Sequence, residues 1–334
     1  MLHYKTFLKL FIFKIFTFFV MVLAGLTLLF LIVKVVPGSA ELKFLSPAFS
    51  VERQVELQGF QNTEQNIFSQ FVAWLQKAVF LDFGYSAQSG LPVRKVLFTS
   101  LMPTLLLSAL AIIWGLAISL PLALFSAKFR NRAGEKILTL VMVLLYSLPA
   151  FWIGLCLVRL LSFTFPLFPS SMLYNATLTF SSSLAKLANM IYHLFLPSLA
   201  MGLSLAAYFY RYLRAKLVEI MDSDYLLAAK ARGLCKKTIL FAHIVPNLIL
   251  PLLSLFSTIT PLFFSGAVTV EYIFSIPGIG RTMVNAAVAR DLPVIMGGAA
   301  ISFLAILVIN SLIDLVMVFI NPTLKTEWLY ENFS

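Results

Sequence analysis

The chain has 334 residues, of which 60% are apolar and 12% charged, and its formal net charge is +11. Soluble domains average about 45–50% apolar and about 25% charged residues, so this chain has too few charges to cover a soluble fold. The composition excludes a cytosolic enzyme, a disordered regulator and a small secreted domain, and it predicts an integral membrane protein.

Six apolar stretches are each long enough to cross a bilayer as a helix, which takes about 20 residues. Backbone polar groups inside lipid must pair within their own segment, which favours helices over an open sheet. The sequence therefore predicts an all-α integral membrane protein with six transmembrane helices. The stretches are 15–33, 96–127, 137–158, 187–210, 244–270 and 292–313.

The spacing of these stretches divides the chain into four parts. They are an N-terminal tail with the first helix (1–36), a long external loop (37–95), a five-helix core (96–322) and a C-terminal tail (323–334). The first apolar core exceeds the roughly 7–15 residues of a cleaved signal peptide, so we expect an uncleaved helix. Within the external loop, apolar residues at helical spacing predict an amphipathic helix over 62–79.

The basic residues are unevenly distributed between the two sides. Six helices place both termini on one side, where the loops and tails hold fifteen Lys and Arg residues, against eight in the opposite loops. Lys and Arg concentrate in cytoplasmic loops. The surplus predicts a multi-pass protein with both termini in the cytoplasm, and it argues against a nucleic-acid partner.

The only sizeable cytoplasmic loop spans 211–246. Ser223 or Asp224 is suited to cap a short helix, and Gly233 is suited to end it in the left-handed conformation. A second short helix is expected from about Lys236 to His243, ending before Pro246. Two interpretations are open, a rigid docking element for a partner and a well-capped surface loop that contacts nothing.

The loop resembles the signature loop of bacterial ABC-importer permeases. That signature has the form Glu-Ala-Ala, three residues, Gly, nine residues, Ile-any-Leu-Pro, and Leu227-Ala228-Ala229, Gly233 and His243-Ile244-Val245-Pro246 occupy its positions. Leu227 stands in place of Glu and His243 in place of Ile. This form is similar to the variant in oligopeptide, dipeptide and nickel importers.

Other segments resemble the same permeases in order. They are Leu-Asp-Phe-Gly-Tyr-Ser at 81–86, the segment 271–280 after the fifth helix, and Asn321-Pro322 at the end of the last helix. The match is best to the first, longer-looped type of the two permeases. The resemblance implies the type I importer permease fold and import of short peptides across the bacterial inner membrane. Permeases for nickel or another small solute are the alternative within this group.

The resemblance also implies partners: a second permease subunit forming a heterodimer, one or two cytoplasmic ABC ATPases, an extracytoplasmic solute-binding protein, and membrane lipid. It implies ATPase coupling through the loop 219–247. The coupling residues carried over are Asp224, Tyr225, Ala228, Ala229, Lys230, Ala231, Arg232, Gly233, Lys236, Lys237, His243, Pro246 and Asn247. The external segment, which must bend sharply, is either a gate or a plain turn; its gate candidates are Glu271, Pro277, Gly278 and Gly280.

The chain is expected to be non-catalytic. It has no Gly-rich run ending in Gly-Lys-Ser/Thr to cradle a phosphate. No cofactor is therefore expected in this subunit, and ATP and Mg would be bound by the partner ATPases. Competing hypotheses are an ATP-independent secondary transporter, which needs ionisable residues at the midplane, and a membrane-embedded enzyme. Asp314 in the last helix is either a functional group or the partner of a nearby cation.

Overall fold

The structure is a computed structural model of the chain. It describes residues 2–35, 66–175 and 182–320, while the side chains of 2–15, 33–35 and 262–266 fall outside the description. Residues 37–65 of the predicted external loop, which include the first residues of its amphipathic helix, lie outside the described residues, as does the C-terminal tail.

Helices dominate the described ranges. An isolated antiparallel bridge joins Tyr85 and Pro92. The α-helices are α1 (Leu2–Val35), α2 (Ile67–Val79), α3 (Val93–Lys128), α4 (Ala133–Ser147), α5 (Ala150–Val158), α6 (Ser183–Met221), α7 (Asp224–Ala231), α8 (Lys236–Thr238), α9 (Val245–Ile273), α10 (Ile279–Ala289) and α11 (Leu292–Ile320). Two π-helical turns, Arg159–Thr164 and Ile239–Ile244, follow α5 and α8.

Four helical segments in the described part are long and apolar enough to cross a membrane. They are Val93–Lys128, Ser183–Met221, Lys236–Pro261 and Leu292–Ile320. The bent pair α4–α5 is a fifth if it counts as one span, and the apolar stretch of α1, Phe16–Ile32, is shorter. The predicted all-α membrane fold class is confirmed.

The predicted single span over 137–158 is wrong as one continuous helix. α4 ends at Ser147, α5 begins at Ala150, and the segments bend by 100° at this break. Pro149 is the cause, because it lacks an N–H and disfavours the helical conformation for the preceding residue. Leu148 accordingly takes an extended conformation, with φ −89° and ψ 132°.

One compact unit comprises Pro103–Pro277 and Leu312–Ser334. Its apolar core includes Leu107, Phe209, Leu217 and Ile259, all with no exposed surface. Small residues bring its helices close together: a Cβ at Gly115 of α3 would lie 2.9 Å from the ring of Phe209 in α6. Such small-residue contacts are typical of helices packed in a membrane.

The other compact unit comprises Met1–Met102 and Gly278–Ser311. Here α2 packs on α1, with the ring of Phe30 at 5.3 Å from Phe71 and 5.6 Å from Trp74. Gly297 of α11 packs closely against Val93 and Leu97 of α3. A Cβ added at Gly297 would lie 2.9 Å from the side chain of each. Ile67, the first residue of α2, is exposed, whereas Ala78 is buried. Of the amphipathic helix predicted over 62–79, the described part is helical over 67–79, and Phe71 and Trp74 of its predicted apolar face are half-buried; Ile67, predicted for the same face, is not.

Candidate functional site

The connection between α6 and α9 is shorter than the predicted loop 211–246. α6 continues unbroken to Met221, so residues 211–221 are helical rather than part of a loop. Only Asp222 and Ser223 separate α6 from α7. We call residues 224–238 the α7 corner. Because helical segments adjoin the corner almost directly on both sides, α7 has little freedom to move relative to them.

Gly233 ends α7 as the sequence predicts. Its φ is +73°, in the left-handed region. The N–H of Leu234 donates to the carbonyl of Ala229 at 3.4 Å, and the N–H of Gly233 donates to that of Lys230 at 3.0 Å. These two bonds form a Schellman motif, which closes a helix around a left-handed glycine. At the other end of α7, Ser223 occupies the N-cap position without a side-chain capping bond, and Asp224 lies in the first turn.

One face of α7 is buried within the chain. α7 packs on α6 and on the π-helical turn Ile239–Ile244. Leu226 has no exposed surface and shares a core with Leu217 and Ile244. Ala229 is only 4% exposed. Ala229, one of the coupling residues carried over from the resemblance, therefore lies in the interior of the chain rather than on its exposed surface.

The opposite face of the α7 corner is exposed and mixes apolar with basic side chains. Tyr225, Leu227 and Leu234 are exposed by 44%, 53% and 38%. Ala228, Ala231 and Gly233 are also exposed, as are Lys230, Arg232, Lys236 and Lys237. Among the described residues these four cations form no salt bridge. The corner thus presents large apolar groups surrounded by cations available to a partner.

The predicted end of the second short helix before Pro246 is wrong. α8 passes into the π-helical turn and then directly into α9. Pro246 lies at the start of α9, where its missing N–H costs little, and the wider π turn accommodates the lost bond. His243 is half-buried, and its carbonyl accepts a 2.6 Å hydrogen bond from Asn247.

Two ion pairs connect the turn between α3 and α4 to α6. Arg130 Nη1 lies 2.5 Å from Asp222 Oδ2, with both side chains about half-exposed. The hydrogen bond that Arg130 donates to Asp222 raises the pKa of Arg130 above its ordinary value. In the second pair, Nε of Arg214 donates to Oε1 of Glu135 at 2.9 Å, and Nη2 lies 2.8 Å from the same oxygen. Glu135 is only 4% exposed, whereas the Arg214 side chain is 33% exposed, so the carboxylate is withdrawn from solvent and the guanidinium only in part.

A relay of hydroxyl groups leads to the same carboxylate. Thr139 donates to Oε1 of Glu135 at 3.0 Å and lies 2.9 Å from the hydroxyl of Tyr210, which lies 2.6 Å from Ser126. Each hydroxyl has one hydrogen to donate. Since Thr139 uses its hydrogen for Glu135, Tyr210 must donate to Thr139, and Ser126 must donate to Tyr210.

The segment with the external gate candidates comprises the end of α9, a turn over 274–278 and the start of α10. Glu271 near the end of α9 has no exposed surface and accepts a 2.5 Å hydrogen bond from Thr104. Pro277 is exposed, Gly278 is the buried N-cap of α10, and Gly280 is buried in its first turn. The expected bend is present, but its left-handed residue is Ser275, with φ +56°, rather than a glycine. The gate role stays a prediction.

Sequence reasoning missed a second buried carboxylate. Asp291, 1% exposed, accepts hydrogen bonds from Ser86 Oγ at 2.6 Å and from the N–H of Gln88 at 3.1 Å. It thereby holds the turn that follows the 81–86 motif. Sequence reasoning also missed Glu135. A single acidic residue between Arg132 and Lys136, at the start of an apolar helix, could have indicated an ion pair.

The comparisons with known proteins agree with this architecture. A family model described as "Binding-protein-dependent transport system inner membrane component" matches residues 119–326. The chain is 31% identical over 309 residues to the oligopeptide transport system permease protein AppB of Bacillus subtilis (strain 168), covering 91% of this chain and 95% of that protein. It is 28% identical over 299 residues to the glutathione transport system permease protein GsiC of Escherichia coli (strain K12), covering 89% and 92%.

The match to the family model covers more than half of the chain and includes the α7 corner, α9 and all of α11. Together with the long apolar helices, it describes a multi-pass protein of the inner membrane. The chain therefore belongs to the family of binding-protein-dependent transport system inner membrane components, and it is an ABC-importer permease of the peptide and nickel group.

Proposed function

We propose that this chain imports short peptides as one permease subunit of an ATP-driven complex. The observation that carries the proposal is the likeness, over about nine-tenths of the chain, to an oligopeptide permease and a glutathione permease. The substrates named for both relatives contain peptide bonds, which favours a short peptide over a bare metal ion.

The α7 corner is the proposed contact with a partner ATPase. Exposed apolar groups surrounded by cations are typical of a protein interface. Leu227, exposed where the family signature has Glu, makes the centre of this contact apolar. Lys230, Arg232, Lys236 and Lys237 then pair with acidic groups at its rim, where charges mainly steer association. The half-buried His243, with Pro246 and Asn247, supports the corner from the start of α9.

The other proposed partners follow from the same assignment. They are a second permease subunit forming a heterodimer, one or two cytoplasmic ATPases that bind ATP and Mg, and an extracytoplasmic solute-binding protein. This subunit holds no cofactor and performs no hydrolysis. Its termini and the α7 corner face the cytoplasm, in keeping with the fifteen basic residues of that side against eight opposite. Residues 271–280 form the external gate.

Reconstitution of the complete complex in liposomes tests the proposal. The substrates compared are tri-alanine, glutathione and a nickel–histidine chelate, each with ATP or with a non-hydrolysable analogue. We expect ATP-dependent uptake of tri-alanine. Uptake of glutathione or the nickel chelate alone would contradict the peptide substrate and leave the ATP-driven importer intact. Equal uptake by this chain without an ATPase would contradict the importer and favour a secondary carrier.

A further inference from the structure

The α7 corner is attached to more than the two helices that continue from it. Asp222, the residue after α6, pairs with Arg130 in the turn between α3 and α4. Two turns earlier in α6, Arg214 pairs with Glu135 in the first turn of α4. Two separate ion pairs thus join the end of α6 to the α3–α4 turn and to the first turn of α4. One pair is exposed, and the other has a buried carboxylate.

The pair with the buried carboxylate is suited to a fixed geometry. Nε of Arg214 and the hydroxyl of Thr139 both donate to Oε1 of Glu135, and Nη2 of Arg214 lies 2.8 Å from the same oxygen. The hydroxyl relay through Tyr210 adds Ser126, two residues before the end of α3. Charge-assisted bonds are shorter and stronger than neutral ones, and a satisfied buried network rigidifies the elements that it joins.

We propose that Glu135 and Arg214 are positioning residues for energy coupling, which with Arg130 and Asp222 make α3, α4, α6 and the α7 corner move as one body. The inference rests on the proposed function, since the movement comes from an ATPase docked on the corner. Without these pairs, displacement of α7 would bend the end of α6 and leave the α3–α4 turn behind. With them, one docked helix delivers its movement to three helices, as a rigid-body transition requires.

The test uses Glu135→Gln and Asp222→Asn, singly and together, in the complete reconstituted complex. Glu135→Gln keeps the shape of the side chain and removes its charge. The matched control is Lys216→Met with Glu219→Gln, because this 2.8 Å ion pair lies on α6 as well but joins no second helix. The first readout is the ATP hydrolysed per tri-alanine imported. The second is the distance between spin labels at Lys136 and Ala231, both exposed, with ADP and with trapped ATP.

We expect the double variant to hydrolyse ATP at the normal rate while the ATP used per imported peptide rises about tenfold, within the range typical of coupling between two sites. The label distance should stay constant on ATP binding in the wild type and change in the double variant. The control should match the wild type in both readouts. An unchanged ratio and an unchanged distance in the double variant would overturn the proposal.

A covalent link supplies the decisive comparison if Glu135→Gln assembles poorly. In a background with Cys156 and Cys235 replaced by Ser, Arg130→Cys and Asp222→Cys are joined by a short bis-maleimide, which restores the exposed connection without charge. Restored coupling after cross-linking supports the proposal, and equal coupling before and after it overturns the proposal. Lack of ATP-dependent import in the wild type contradicts the proposed function instead, and the label distances then decide the inference.

Discussion

Ser86 and Asp291 are 205 positions apart in the chain, and a 2.6 Å hydrogen bond joins Oγ of Ser86 to Oδ2 of Asp291. The same carboxylate accepts from the N–H of Gln88. The N–H of Val294 also points to it, at 3.4 Å from Oδ1. Asp291 thus occupies the start of α11, where a negative charge is stabilised by the helix dipole, and orders the turn 86–90.

Replacement of this carboxylate should loosen the turn. Asp291→Ala leaves the buried Ser86 hydroxyl and the Gln88 N–H without their acceptor. Each buried group left unpaired lowers the free energy of unfolding by about 1–3 kcal/mol. We expect faster hydrogen exchange at the Gln88 amide in the purified protein. Thr99→Val, which removes an exposed hydroxyl bonded within its own helix, is the control. Unchanged exchange in Asp291→Ala would show that the turn is held by other contacts.

Gly233 should be needed for its backbone conformation rather than for space. A Cβ at this position would meet nothing within 4 Å, while φ is +73°. Gly233→Val therefore adds left-handed strain of about 1–2 kcal/mol, which corresponds to a factor of about 5–30 in an equilibrium. We expect a loss of this order in ATP-dependent uptake by the reconstituted complex. Gly233→Asn should retain most uptake, because Asn tolerates the left-handed region. Equal uptake by Gly233→Val and the wild type would exclude this corner as a rigid connector.

Cys235 should react faster with iodoacetamide than an ordinary thiol at neutral pH. Its hydrogen bond to the side chain of Thr238, at 3.0 Å, lowers the pKa of the Cys235 thiol. A lower pKa means a larger thiolate fraction below the ordinary value of about 8.5, and the thiolate is the reactive form. Thr238→Val should slow the alkylation rate at pH 7 and shift its rise to higher pH, as mass spectrometry of the modified peptide will show. A pH profile that does not move would contradict this assignment.

Thr104 should stabilise the buried Glu271 through its hydroxyl. Thr104→Val keeps the volume of the side chain but removes the hydrogen bond to Glu271. The loss should lower the free energy of unfolding by about 1–3 kcal/mol. We expect a lower midpoint of thermal unfolding for the detergent-purified complex. Thr104→Ser keeps the hydroxyl and should lie close to the wild type. The same midpoint for both variants would assign the effect to packing instead.

Gly202 should be required for the close packing of α3 and α6. A Cβ there would collide with Trp114 and lie 3.1 Å from the carbonyl oxygen of Ala111. Overpacking of this kind costs about 1–3 kcal/mol, so Gly202→Ala should lower the unfolding midpoint. Gly134→Ala is the matched control, because nothing lies within 4 Å of its added methyl group. A midpoint for Gly202→Ala equal to that of the control would mean that Trp114 moves aside readily.

Local rules predicted the features that depend on neighbours in the chain. Gly233 is predicted as a left-handed helix end because only a few residues around it decide that conformation. The break at Pro149 follows from an equally local rule, but length and lack of charge alone do not reveal it. Ser275 and Arg290 also take positive φ, at +56° and +54°, although their residue types do not favour it. Each follows the end of a helix that is closed by local backbone bonds, from the N–H of Ile276 to the carbonyl of Glu271 and from the N–H of Asp291 to that of Ala286.

The membrane class, the positions of most long helices and the left-handed corner can be predicted from the residues alone, because they depend on apolar length and on short-range backbone preferences. Which polar groups pair with each other depends on how the helices pack. Glu135 pairs with Arg214 across 79 positions, and Thr104 pairs with Glu271 across 167. Helix packing brings these residues together, and the cost of burying an unpaired polar group makes each of them require its partner.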